Sequence, residues 1–114
     1  MVVDRQLQVY ADWDAKQRVR IKALITPELI EEHRRKPLGQ HSDALERVLN
    51  YFRRQPQPGK YIIVATKAWE EYRIGVLSGV RGQPAAILGD QAFASEEDAI
   101  HGIFLRRVRD LQES

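Results

Sequence analysis

The side chains in this sequence that could carry out chemistry are three histidines, four serines, several paired acids and a set of basic clusters. Hydrolysis, the most general chemistry to look for, needs an activated nucleophile or water, a base, and donors for an oxyanion. His33, His41 and His101 are far apart in the chain, and none has a histidine or an acid at the spacing of a zinc-protease helix. Glu97 and His101 would share a helix face at i, i+4, but one such pair makes a surface ion pair worth about 0.3 kcal/mol and not a metal centre. Ser42, Ser78, Ser95 and Ser114 lie outside any Gly-x-Ser-x-Gly turn, and Ser42 and Ser95 stand where helices need N-caps. Gly75, Gly79, Gly82 and Gly89 are dispersed, without the pattern that cradles a phosphate. The pairs Glu31-Glu32, Glu70-Glu71 and Glu96-Glu97 fit solvated faces or helix first turns. The absence of cysteine removes thiolate chemistry and disulfides together. The expectation is a chain with no catalytic residue, cofactor site or metal site of its own.

Basic groups are the better functional candidates: His33-Arg34-Arg35-Lys36, Arg53-Arg54 and Arg106-Arg107-x-Arg109. Residues 1–60 hold 12 Lys/Arg against 8 Asp/Glu, while residues 61–114 hold 6 against 8. The cationic half suits an anionic partner. Tyr51, Tyr61 and Trp69 could add stacking platforms, so a small basic nucleic-acid-binding regulator is the alternative reading. A net charge of only +2 and the lack of any reader motif favour a protein partner instead.

Positioning these groups requires a fold, and 114 residues make one domain with one modest core. From about Ala11 to Ile25 the residues favour helix, but Trp13, Val19, Ile21, Leu24 and Ile25 do not form a single stripe. Such a helix packs partly on something else. Thr26-Pro27-Glu28 reads as N-cap, first-position proline and first-turn acid of a short helix through about His33, ended by Lys36-Pro37-Leu38-Gly39. Ser42 or Asp43 caps the next helix, with Asp43 and Glu46 at capping-box spacing. Its Leu45, Val48, Leu49 and Phe52 share one face.

Pro56 and Pro58-Gly59 divide this helical half from a strand-rich one. Tyr61 to Thr66 reads as a largely buried strand, Arg73 to Leu77 as a second and Ala86 to Leu88 as a third, with separators short enough for antiparallel pairing. Ser95 caps a final helix, from Glu96 to about Leu111, whose first turn is acidic and whose Ile100, Ile103, Phe104, Val108 and Leu111 form the apolar stripe. Arg106, Arg107 and Arg109 are expected toward its cation-favouring end. The fold class is therefore α+β: a helical N-terminal half and a three-stranded antiparallel sheet packed by a C-terminal helix. Residues 1–114 form a single domain, in which 1–40 is a helical arm for docking on a partner and 42–114 the α+β core. Charge at Asp4 and Arg5 interrupts any secretory h-region, and no apolar run approaches ~20 residues. A cytoplasmic protein without a membrane segment is expected.

The run Leu45-Glu46-Arg47-Val48-Leu49-Asn50-Tyr51-Phe52-Arg53-Arg54-Gln55-Pro56, followed by Gly59-Lys60-Tyr61-Ile62-Ile63, resembles the small (light) subunit of bacterial N,N-dimethylformamidase. So do Ile30-x-Glu32-His33, Trp69-Glu70-x-Tyr72-Arg73-Ile74, Leu88-Gly89-Asp90-x-x-Phe93 and Glu96-Glu97-x-Ala99-x-His101-x-x-Phe104-Leu105-Arg106-Arg107. The likeness covers most of the chain after about Glu28. The segment before Trp13 is shorter than that family's, and Gly79 to Ala86 departs from it.

The resemblance implies a hetero-oligomeric amide hydrolase that cleaves a formamide C–N bond to formate and dimethylamine, with iron in the large catalytic partner subunit and none in this chain. The role implied here is that of a non-catalytic subunit that clamps and stabilises the large one. Tyr51, Phe52, Arg53 and Arg54 are candidate contacts near the Pro56–Gly59 turn, and His101, Leu105, Arg106 and Arg107 on the final helix. Trp13 joins them from the ragged first helix. Phe52 and Phe104 lie on apolar stripes, which favours the core for both. Leu105 lies off its stripe and widens the apolar arc.

Overall fold

The computed structural model describes residues 5–55, 59–89 and 91–113, with side chains from residue 8 onward. The two prolines of the dividing turn and Asp90 of the Leu88-Gly89-Asp90 motif lie outside the described residues. Four helices, α1 (Arg5–Leu24), α2 (Pro27–Arg35), α3 (Asp43–Arg53) and α4 (Glu96–Glu113), accompany three strands, β1 (Tyr61–Lys67), β2 (Glu71–Val76) and β3 (Ala86–Ile87). The fold is α+β: a helical first half, then a sheet of order β1-β2-β3, antiparallel throughout, on which the last helix packs.

Local chemistry sets the helix boundaries. Thr26 Oγ1 accepts from the Leu29 amide at 3.2 Å, and Pro27 occupies the first turn of α2, where its missing N–H costs nothing. Ser42, not Asp43, caps α3: its Oγ accepts from the Leu45 amide at 3.3 Å, which leaves Asp43 and Glu46 as first-turn acids facing the positive end of the helix. Ser95 Oγ accepts from the Asp98 amide at 3.1 Å and opens α4. α4 continues to Glu113, so its last turn carries no basic residue and Arg106, Arg107 and Arg109 fall inside the helix instead of at its end.

The core lies where α1, α2, α3 and α4 meet. Ile21, Leu29, Leu45, Val48, Tyr51, Phe52, Phe104, Val108 and Leu111 are buried together, with Leu24, Ile25 and Leu49 packed against them. The C-terminal part of α1 and all of α2 thus bury apolar residues in the same core as α3 and α4. The earlier turns of α1 leave Val9, Tyr10 and Trp13 exposed.

The sheet is less buried than its composition suggests. Strand β1 is half-buried from Tyr61 to Val64 and exposed from Ala65 onward, and Ile74 and Gly75 are the buried residues of β2. Side chains alternate across a strand. Ile63 pairs with the buried Ile74, and Tyr61 on the same face reaches Asp110 of α4, so α4 packs against that face. Ile62, Val64 and Ile87 fall on the opposite face. Beyond β2, Tyr72 and Phe93 exchange both backbone hydrogen bonds, 2.9 and 2.8 Å, which fixes Phe93 beside the sheet.

Candidate functional site

Three surfaces collect the polar groups of the described residues. The first is a histidine cluster between α2, α4 and the loop before α3. His33 falls four residues after Leu29, on the buried face of α2, and is 1% exposed. Its ring stacks on Phe104 at 4.0 Å between centroids, and its Nδ1 meets the His101 Nδ1 at 2.8 Å. His41 stacks beside it, with centroids 6.1 Å apart, and its Nε2 donates to the Lys36 carbonyl at 2.6 Å. Burial pushes His33 down to about 4, with the neighbouring imidazoles His101 and His41 acting in the same direction. His101 is lowered as well, by burial first and then by Arg34. Glu32 accepts from the Ser42 hydroxyl and amide, both at 2.7 Å, and these bonds hold its carboxyl below the usual range. The His33–His101 pair therefore works as a neutral seam that joins α2 to α4, and the ionised Glu32 ties α2 to the start of α3.

The second surface is a cleft beside this seam, lined by His101, Leu105 and Arg106 together with Arg34 and Phe93. Leu105 is 43% exposed there. The third is a groove between α1 and α3 lined by Arg20, Arg47, Arg53 and Arg54. Trp13 lies at its end, with the Arg54 guanidinium 5.6 Å from the indole centroid.

The candidate interface residues therefore separate. Trp13 is brought to Arg54, with Arg53 in the same groove; His101, Leu105 and Arg106 are brought together on α4. Tyr51 and Arg107 are turned inward. Tyr51 is 5% exposed and helps line a recess of about 340 Å³ with Arg18, Tyr61 and Arg107. Arg107 lies over the Phe52 ring at 6.0 Å and donates to the Tyr61 carbonyl at 3.5 Å, and burial lowers its guanidinium from its ordinary value. Phe52 and Phe104 are both in the core. Trp69, placed near the basic groups on sequence proximity, is instead 89% exposed in the β1–β2 turn with φ 67°.

The histidine seam and two of the groove's four arginines were not singled out from sequence. His33 and His101 are 68 residues apart, and the sequence places His101 off the apolar stripe of α4, so nothing along the chain pointed to their meeting. Arg20 and Arg47 stand singly in the chain, and only helix packing brings them to Arg53 and Arg54.

Iron finds no ligand set among the described residues, where no group of three or more His, Asp or Glu side chains converges on a point. The His33 and His101 Nδ1 atoms are hydrogen-bonded to each other, one donating and one accepting, so neither Nδ1 offers a metal a lone pair. Among the described residues no helix is long and apolar enough to cross a membrane.

Residues 8–114 match the family described as N,N-dimethylformamidase alpha subunit. Two proteins named N,N-dimethylformamidase alpha subunit, from Alcaligenes sp and Paracoccus aminophilus, are each 41% identical to the chain over 114 residues. Each comparison covers 96% of this chain, and 85% and 79% of the respective relative.

Proposed function

The chain belongs to the N,N-dimethylformamidase alpha subunit family, and from that premise we propose that it is the small, non-catalytic subunit of a cytoplasmic amide hydrolase. It clamps onto a larger catalytic subunit and stabilises it. In the complex, water adds to the formyl carbon of a formamide such as dimethylformamide and the C–N bond breaks. The nitrogen leaves with a proton as dimethylamine, and formate remains. The iron that serves this reaction belongs to the partner.

The observation that carries the reading is 41% identity to two alpha subunits along almost the whole chain. Exposed apolar groups next to arginines support it: Val9, Tyr10 and Trp13 beside Arg54, and Leu105 beside Arg106. This mixture is typical of protein interfaces, where aromatic residues and Arg are enriched. Within a single domain of residues 1–114, the early turns of α1 serve as the docking arm, and Trp13, Arg53, Arg54, Leu105 and Arg106 make the contacts. Tyr51 and Arg107 support these surfaces from inside.

Co-expression of this chain with the large dimethylformamidase subunit of the same organism tests the reading. The pair should co-elute and release formate from dimethylformamide, while this chain alone should release none. Hydrolysis by this chain alone at the rate of the pair would overturn it.

A further inference from the structure

The groove between α1 and α3 concentrates four guanidinium groups on a protein whose net charge is only +2. Two of the four have a local explanation. Arg53 and Arg54 stand at the C-terminal end of α3, where the helix dipole favours cations. Arg47 lies in the middle of α3, and Arg20 is on the facing surface of α1. Both are exposed, so core packing does not account for them.

What partners these arginines have within the chain are weak. Arg47 pairs with Asp43 at 3.2 Å, both side chains mostly exposed. Arg53 donates to the Asn50 amide oxygen at 3.2 Å, a neutral acceptor. Arg54 lies over Trp13. Four cations along one groove repel one another unless a counter-anion joins them.

We propose that this groove receives an acidic segment of the partner subunit, its carboxylates held by Arg20 and Arg53 while Trp13 and Tyr10 pack beside them. The inference rests on the subunit reading above and names the chemistry of one contact within it. Planar guanidinium forks match carboxylates two oxygens at a time. Ile21 and Leu24 form an apolar floor, and Val9, Tyr10 and Trp13 extend the apolar surface past Arg54. A peptide carrying acids and aliphatic side chains matches both features.

A nucleic-acid backbone matches them less well. The groove holds no lysine, Asp43 sits at its edge, and one face of Trp13 is taken by Arg54. Asp43 meets either anion alike, but a single strand would lose the stacking surface that Arg54 occupies.

The test uses the full chain and its co-expressed dimethylformamidase partner. Binding is measured by titration at two salt concentrations, for the wild type and for the double variant Arg20→Glu/Arg53→Glu, with circular dichroism melts as a folding control. The double variant should still fold cooperatively, its melting temperature lowered by a few degrees at most because Glu replaces a cation at the C-terminal end of α3, yet bind the partner at least tenfold more weakly and lose most of the salt dependence. Unchanged affinity in the variant overturns the groove while leaving the subunit reading intact. Failure of the wild type to bind the partner overturns both. A single-stranded oligonucleotide is titrated in parallel at low salt. Wild-type binding to it that the variant abolishes, with partner affinity unchanged, assigns the groove to nucleic acid and overturns the proposal.

Discussion

The His33 and His101 Nδ1 atoms lie 2.8 Å apart and tie α2 to α4 across a separation of 68 residues. The bond needs one nitrogen protonated and the other bare, so it survives with both rings neutral and fails when both are charged. Carboxylates and cations surround the pair from each element: Glu31, Glu32 and Arg34 from α2, His41 from the loop, and Asp98 from α4.

This arrangement sets a pH window for stability. The folded His33 titrates at about 4 against 6.5 for an ordinary imidazole, so the unfolded chain takes up its proton first as pH falls. Stability that is complete above pH 6.5 is lost progressively down to pH 4, by about 3 kcal/mol at roughly 1.4 kcal/mol per unit. His101, lowered in the same direction, adds to the loss. Glu31, held near 2 by Arg34, acts in a different window, because its contribution is present above 4.5 and disappears below it. Urea unfolding between pH 7.5 and 4.5 should show falling midpoints, and His33→Gln should flatten most of the slope. An equal slope in the variant would remove His33 as its source.

A second prediction concerns Gly102, in the middle of α4. Alanine ordinarily favours a helix over glycine by about 1 kcal/mol. Here a Cβ would stand 2.5 Å from Phe93 Cζ and 2.9 Å from Cε1, and Phe93 is held by its two backbone bonds to Tyr72. Gly102→Ala should therefore destabilise the chain by roughly 1–3 kcal/mol despite its helix propensity, because overpacking outweighs it. Thermal melts of Gly102→Ala and of Gly102→Ala/Phe93→Leu check this, with the smaller leucine side chain recovering part of the loss.

The comparison of Gly102 with the rest of α4 shows what sequence can reveal. The apolar stripe of that helix, its Ser95 cap and its acidic first turn are local signals, and the helix forms where they place it. The same holds for Thr26, Pro27 and the face from Leu45 to Phe52. Strand burial was overstated, because β-branched residues from Tyr61 to Val64 give the same pattern whether one face of a sheet is covered or two. The polar clusters were hidden for a different reason. The His33–His101 contact, and the meeting of Arg20 and Arg53 in one groove, arise only after helices pack, and no spacing along the chain encodes them.

Trp69 supplies a third prediction. It occupies the β1–β2 turn with φ 67°, a left-handed conformation that costs a non-glycine residue roughly 1 kcal/mol, and its side chain is 89% exposed. Among the described residues, so exposed an indole finds little packing to offset that cost. Trp69→Gly should raise the melting temperature of the isolated chain by a few degrees, about 4 °C for 1 kcal/mol in a domain of this size. If the turn meets the partner subunit, the same variant should weaken co-elution. A lower melting temperature would show that the indole supports the hairpin.

Adjacent residues on α4 give the last and sharpest contrast. Phe104 is 2% exposed, stacks on His33 at 4.0 Å and meets Phe52 edge-on at 6.1 Å, so its ring links the histidine seam to the α3 face of the core. Phe104→Ala should cost about 3–5 kcal/mol, since the cavity removes contacts on both sides. Leu105 is 43% exposed in the cleft with Arg34 and Arg106. Leu105→Asp should change the stability of the isolated chain by no more than about 0.5 kcal/mol. It places a carboxylate where an apolar side chain would be desolvated on docking, and that desolvation costs more than pairing with the neighbouring Arg34 or Arg106 returns. Assembly with the proposed partner subunit should therefore weaken while folding does not. Denaturant melts of both variants, run beside co-elution with the partner, separate the two roles. Equal loss of folding would place Leu105 in the core, and unchanged co-elution would remove the α4 cleft from the interface.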